Sequence, residues 1–226
     1  MEYLFDTANI EEIRTYGAIY PYTGVTTNPS IVKKEGKIDF FGHFREIRRI
    51  IGRERSLHIQ VTALEAEEIV KEGEAILKNV DDKVFIKIPM TEEGLKAIRM
   101  LKQAGAGVTA TAIYTKAQGY LAMEAGADYI AVYFNRMENM DIHAADTIRS
   151  FSHMIDQWNY QTKILAASFK NMAQVNEAFM AGSHTVTLPP ALLRDALNAP
   201  AIKKAADDFR KDWKSVFGDV KIHEIG

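Results

Sequence analysis

Eight short runs of strand-forming residues recur along this chain, and stretches with helical periodicity lie between them. The runs are YLFDT (3–7), GVTTN (24–28), LHIQVT (57–62), VFIKIP (84–89), GVTATAI (107–113), YIAVYF (129–134), KILAAS (163–168) and TVTLP (185–189). Segments such as TALEAEEIVKEGEAILK, TEEGLKAIRMLKQAG and TKAQGYLAMEAGA place apolar residues three and four apart, as the buried face of a helix requires. Gly105, Gly126 and Gly182 stand just before the next strand, where a left-handed helix terminus is expected. Strand then helix, repeated eight times, predicts a closed parallel (β/α)8 TIM barrel, and 226 residues suit a fold of about 250. The competing architecture, a doubly wound open sheet, would carry a phosphate-binding glycine fingerprint after a strand, and none of the runs has one. Without a Pro/Gly/Ser-rich linker or a break in composition, one domain is expected over residues 1–226. Its helical tail, at about 191–217, includes ALNAPAIKKAADDFRKDWKSVFG and is expected to pack under the barrel or onto a neighbouring subunit.

Composition removes several function classes. A formal charge of −2 gives no electrostatic basis for nucleic-acid binding. The basic cluster REIRRIIGRER sets its charges among Ile47, Ile50 and Ile51 at helical spacing, so it reads as the solvated face of one helix. No apolar run approaches the roughly 18 residues of a membrane span, and MEYLFDTANIEEI is acidic where a signal peptide would be basic, so a cytoplasmic protein is expected. Cysteine is absent, which excludes disulfides, zinc ribbons and thiol nucleophiles. His43, His58, His143, His153, His184 and His223 are scattered without ligand spacing, so no metal site is expected; His58 shares parity with Gln60 and reads as a packed interior histidine.

In a barrel of this kind, chemistry collects at the C-terminal ends of the strands. Those ends carry Asp6, then Thr26 with Asn28, Gln60, Lys87, Thr109 with Thr111, Tyr133, and Ser168. Residues two apart on a strand face the same way, so each threonine-containing pair can point inward together. Lys87 is the residue most in need of explanation, because it interrupts the apolar run VFIKIP and lysine is almost never fully buried unless paired or functional. Three roles remain open for it on chemical grounds: an ion pair with Asp6, a point charge for phosphate, or an amine made nucleophilic by desolvation. A lysine that attacks a ketone needs a carboxylate to manage a hydroxyl proton and a hydroxyl or phenol for the imine steps. Asp6 can supply the first; Tyr133, Thr111 and Gln60 can supply the second. Asn28 can hold sugar hydroxyls, and Arg136 with Ser168 offers a guanidinium and a hydroxyl to a phosphate.

The segments FDTAN, GVTTNPSI, HIQVTA, IKIPMTEEGLKAI, TATAIYTKAQG, AVYFNR, ILAASFK and TLPPALL occur in order over nearly the whole chain. Together they resemble the small transaldolase family, which includes the fructose-6-phosphate aldolases. The resemblance implies a class I mechanism with no metal or other cofactor and with Lys87 as the Schiff-base residue. It implies that Asp6 assists proton transfer beside the cleaved bond, that Asn28 and Thr26 position the dihydroxyacetone portion, and that Thr111 helps bind the catalytic water. Arg136 and Ser168 would hold the phosphate of a sugar phosphate substrate. The resemblance further implies a homo-oligomer, a ring of five or a stacked decamer, with the C-terminal helix reaching a neighbour.

Within that family, the transaldolase branch usually has Glu at the position of Gln60 and Phe at the position of Tyr133, whereas the aldolase branch has Gln and Tyr, as here. The expected activity is therefore a lyase, cleaving fructose 6-phosphate or a close ketose analogue to dihydroxyacetone and glyceraldehyde 3-phosphate. Transfer of a dihydroxyacetone unit between sugars is the alternative. The sequence departs from the aldolase pattern at TATAIY, which puts Thr109 at an apolar position near Lys87. It departs again in MENMDIHAADTI, which lacks the family's glycine-rich turn.

Overall fold

The computed structural model describes residues 1–225, and its contacts divide into two compact units, Met1–Pro190 and the segment from Ala191 onward. The first unit runs β1 (Glu2–Asp6), α1 (Ile10–Gly17), β2 (Gly24–Thr26), α2 (Pro29–Val32), α3 (Phe40–Ile51), β3 (Ser56–Gln60) and α4 (Ala66–Asn79). It continues with β4 (Val84–Pro89), α5 (Glu92–Gln103), β5 (Gly107–Ile113), α6 (Lys116–Glu124), β6 (Tyr129–Tyr133) and α7 (Phe134–Glu138). The last elements are α8 (Ala144–Trp158), β7 (Lys163–Ala167), α9 (Met172–Met180) and β8 (Thr185–Leu188). All eight strands are parallel, pair in chain order and close through β1 against β8, as the sequence predicts.

Local chemistry explains the boundaries. Thr91 caps α5 through its side chain on Gly94 N, Thr115 forms a reciprocal capping box with Gln118 at α6, and Asn9 and Asn171 cap α1 and α9. Gly105, Gly126 and Gly182, each two residues past the end of a helix, take φ of 81°, 82° and 100°, the left-handed conformation expected of them. Several strands are shorter than the sequence runs: β2 stops at Thr26, because Asn28 leaves the sheet to cap α2 with Pro29 at the first helical position. The segment after β6 is helical where a loop would be expected, and Asp141 takes a φ of 58°, a left-handed conformation.

The basic cluster is corrected by the structure. Arg48 is buried rather than solvated, because it follows Phe44 by one turn and so falls on the inner face of α3. There it meets Asp81 at 2.8 Å and donates to the carbonyls of Gly52 and Arg55 at 2.8 and 2.7 Å. Arg53 and Arg55 lie beyond the helix end.

Inside the barrel the side chains change character with height. Leu4, Tyr129, Ala131 and Leu165, with Phe85 against them, form an apolar plug. Above it, at the C-terminal ends, the register aligns Asp6 with Thr26, and Gln60 with Lys87 and Thr109. The register shifts between Ala110 and Ile113 on β5, where Ala112 takes a φ of 56°.

The second unit holds α10, which begins at the boundary (Pro190–Leu197), and α11 (Pro200–Phe217). The expected tail is thus two helices, with Pro200 opening the second. Trp213 stacks on Phe217 at 4.3 Å, while Phe209 and Ile202 on α11 are exposed. No helix among the described residues is long and apolar enough to cross a membrane.

Candidate active site

A cavity of about 270 Å³ opens at the C-terminal end of the barrel. Six residues expected from the sequence line it: Asp6, Asn28, Lys87, Tyr133, Arg136 and Ser168. They come from five strand ends, as the barrel rule requires. Lys34 and Lys170 also line it and were not anticipated, although Lys170 directly follows Ser168 and Phe169 in the quoted ASFK motif.

Lys87 sits at the bottom with 2% of its surface exposed. Its ammonium donates to the backbone carbonyl of Thr27 at 3.2 Å and forms no ion pair among the described residues. Burial pushes its pKa down from the ordinary 10.5; Asp6 opposes that as a charge acting at a distance, and the Arg136 guanidinium adds to it. A direct Asp6 ion pair, one of the three roles open from sequence, is therefore not formed.

Asp6 is held by a relay. Thr26 Oγ1 donates to Asp6 Oδ1 at 2.7 Å, and because a hydroxyl has one proton, the Thr187 hydroxyl must donate to Thr26 across their 2.7 Å contact. Thr26 thus supports the site from beneath and does not line the cavity. Asn28 spends its carbonyl oxygen on Ile31 N at 3.1 Å, which leaves its amide NH2 for the cavity.

Tyr133 is largely buried, and burial raises its pKa. Its hydroxyl accepts from Thr111 Oγ1 at 3.1 Å, so Thr111 reaches the cavity only through the phenol. Arg136 lies over the Tyr133 ring at 4.7 Å and donates to the Tyr114 hydroxyl at 3.4 Å. It makes no ion pair with Glu138 or Asp141; Glu138 instead accepts from Ala144 N. Ser168, just past β7, has a φ of 66°, a left-handed conformation that costs a non-glycine residue roughly 1–2 kcal/mol and that aims this turn at the cavity.

Gln60 and Thr109 share the level of Lys87 in the sheet but do not line the cavity. The Gln60 Oε1 is buried without a hydrogen-bond partner. Thr109 is fully buried and bonded to His58 Nδ1 at 2.8 Å. His58 faces inward as expected, stacked on Phe85 at 4.9 Å, and desolvation with the nearby Lys87 and Arg48 charges pushes its pKa down to about 3.

An amine desolvated beside a carboxylate, in a cavity rimmed by cations, is chemistry suited to a phosphorylated carbonyl compound. The model of the Transaldolase/Fructose-6-phosphate aldolase family matches residues 3–225. The chain belongs to that family. It is 49% identical over 213 residues to a protein of Streptococcus pneumoniae (strain ATCC 700669 / Spain 23F-1) named "Probable fructose-6-phosphate aldolase", covering 94% of this chain and 96% of the relative. It is 35% identical over 219 residues to a "Probable transaldolase" of Lachnoclostridium phytofermentans (strain ATCC 700394 / DSM 18823 / ISDg), covering 97% of this chain and all of that protein. Besides Lys34 and Lys170, the residues that sequence reasoning missed are supports: the Thr187 hydroxyl and the Thr27 carbonyl act through hydrogen bonds to Thr26 and Lys87.

Proposed function

We propose that this family member is a class I aldolase that reversibly cleaves fructose 6-phosphate, or a close ketose analogue, to dihydroxyacetone and glyceraldehyde 3-phosphate. The observation that carries the reading is Lys87: a lysine with 2% exposure whose ammonium has, among the described residues, only a neutral carbonyl as partner. Burial that lowers its pKa raises the fraction of free amine at neutral pH.

The neutral Lys87 amine adds to the ketone carbon, and loss of water leaves an iminium. Asp6 takes the proton from the hydroxyl on the far carbon of the bond to be broken; that bond's electron pair passes into the iminium, giving an enamine and, at the carbon that bore the hydroxyl, the free aldehyde. Protonation of the enamine carbon and addition of water then release dihydroxyacetone and regenerate the amine. Tyr133, with Thr111 donating to its oxygen, serves those last proton transfers, and Gln60 and Thr109 hold the level of the sheet on which Lys87 stands. Asn28 orients the substrate hydroxyls, Thr26 fixes Asp6, and Arg136 with Ser168 takes the phosphate, joined at the rim by Lys34 and Lys170. We further propose a cytoplasmic enzyme that assembles as a homo-oligomer, a pentamer or decamer, on the strength of the family resemblance.

A second reading, transaldolase, is favoured by the relative of that name. The phenol of Tyr133, which lines the same cavity as Lys87, supports the aldolase, since it can protonate the enamine where a phenyl ring could not. Release of glyceraldehyde 3-phosphate from fructose 6-phosphate without an acceptor aldose decides between them. Many turnovers per site are expected; one equivalent or less would assign transfer. Borohydride with dihydroxyacetone should add a stable mass to the wild type and not to Lys87→Met, and an adduct on another lysine would overturn the assignment of Lys87.

A further inference from the structure

The opposite, N-terminal mouth of the barrel carries a cavity of about 510 Å³ that the proposed chemistry does not use. Gly107 lines it, and a Cβ at that position would come 2.8 Å from the Phe85 ring. Phe85 and the largely buried Tyr129 line it, and the Tyr129 hydroxyl has no hydrogen-bond partner among the described residues.

The rim is cationic, with four basic residues against Glu2 and Glu54. Two of the four are already neutralised: Lys163 meets Glu2 at 2.9 Å, and Arg53 meets Asp82 at 2.5 Å and Asp81 at 3.3 Å. The other two are not. The Lys83 ammonium has no ion pair or hydrogen bond among the described residues. Arg55 is fixed by donating from Nε to the Tyr22 carbonyl at 3.1 Å and from Nη1 to the Ile51 carbonyl at 3.0 Å, with its guanidinium over the Tyr22 ring at 4.5 Å. Those partners hold the group in place without an ion pair among the described residues, and the unpaired charges of the rim are two cations, Arg55 and Lys83, against one carboxylate, Glu54. A pre-positioned guanidinium and an unpaired ammonium on one concave rim suit a phosphate, which accepts from both.

We propose that this mouth is a second binding site, for a small phosphorylated molecule whose phosphate is taken by Lys83 and Arg55. The site lies at the end of the barrel remote from Lys87 and does not depend on the aldolase reading. Calorimetric titration of the full chain with pyrophosphate tests it. Wild type and Arg136→Gln should show the same saturable binding at this site, and Lys83→Gln, a change at an exposed position, should weaken it about tenfold. Turnover of the ketose should be unaltered in Lys83→Gln. Absence of saturable binding would overturn the proposal, as would binding lost in Arg136→Gln and kept in Lys83→Gln. An equal loss in Lys71→Gln, an exposed lysine of α4 that does not line this cavity, would assign the effect to general surface charge and overturn it as well.

Discussion

The hydroxyl of Thr26 donates its only proton to Asp6 at 2.7 Å and is itself supplied by Thr187 across the seam where the barrel closes. The carboxylate that faces Lys87 is thereby oriented by side chains from the first, second and eighth strands. Thr26→Val keeps the shape and removes the donor. A hydrogen bond to a charged group contributes about 1.5–3 kcal/mol, so turnover should fall by roughly 10- to 100-fold, with the lysine still trapped by borohydride. Unchanged turnover would remove the relay from the mechanism.

Lys87 is expected to cost the fold stability. Its folded pKa lies below the unfolded 10.5, so between those two values the unfolded chain binds more protons, and stability rises with pH across that window. Below the folded value the penalty is fully present. Lys87→Met fills nearly the same volume without a charge, so urea unfolding at pH 7 should show stability unchanged or raised by about 0.5–2 kcal/mol, with activity abolished. The advantage of the variant should shrink as pH approaches 10.5. A variant clearly less stable than the wild type at pH 7 would show that the ammonium's bond to Thr27 outweighs desolvation.

His58 acts with the same sign in the acid range of the stability profile. Its folded pKa, about 3, is below the ordinary 6.5, so as pH falls from 6.5 the unfolded state takes up a proton that the folded state refuses. The stability due to neutral His58 is complete above 6.5 and is lost as pH falls towards 3. Between roughly pH 6 and 4 the slope from this residue is about 1.4 kcal/mol per unit. His58→Gln keeps a polar partner for Thr109 and should flatten that part of the profile; equal acid slopes in the two proteins would sink the assignment.

The barrel was readable because its signals are local: alternation within a strand, apolar spacing within a helix, a glycine or an asparagine at an end. Lys87 was readable for the same reason, as one cation in an apolar run. What the sequence concealed depends on partners far along the chain. Arg48 sat in a basic cluster whose charges looked solvated, and only the position of Asp81 explains why it can be buried. Thr187 looked like an ordinary strand residue until closure of β1 on β8 brought it to Thr26. Asn28 was placed in the cavity by strand parity, yet it belongs to a helix cap, and both descriptions happen to aim it inward. Gln60 and Thr109 show the limit of the parity rule, since both stand beside Lys87 in register and neither lines the cavity.

Arg136 should act on affinity for the phosphate and little else. It has no carboxylate partner among the described residues, and its position over the Tyr133 ring keeps the guanidinium at the rim while leaving donors for a ligand. Arg136→Gln removes the charge and retains some of the stem. The loss of one charge-assisted contact of about 1.5–3 kcal/mol should raise KM for the phosphorylated ketose by roughly 10- to 100-fold. Condensation of dihydroxyacetone with an unphosphorylated aldehyde should keep most of its rate, because no phosphate is there to be held. The comparison of the two substrates is the measurement. Equal losses on both would mean that Arg136 acts through the Lys87 amine, whose pKa its charge helps to lower, and would move it from the phosphate clamp to the control of the nucleophile.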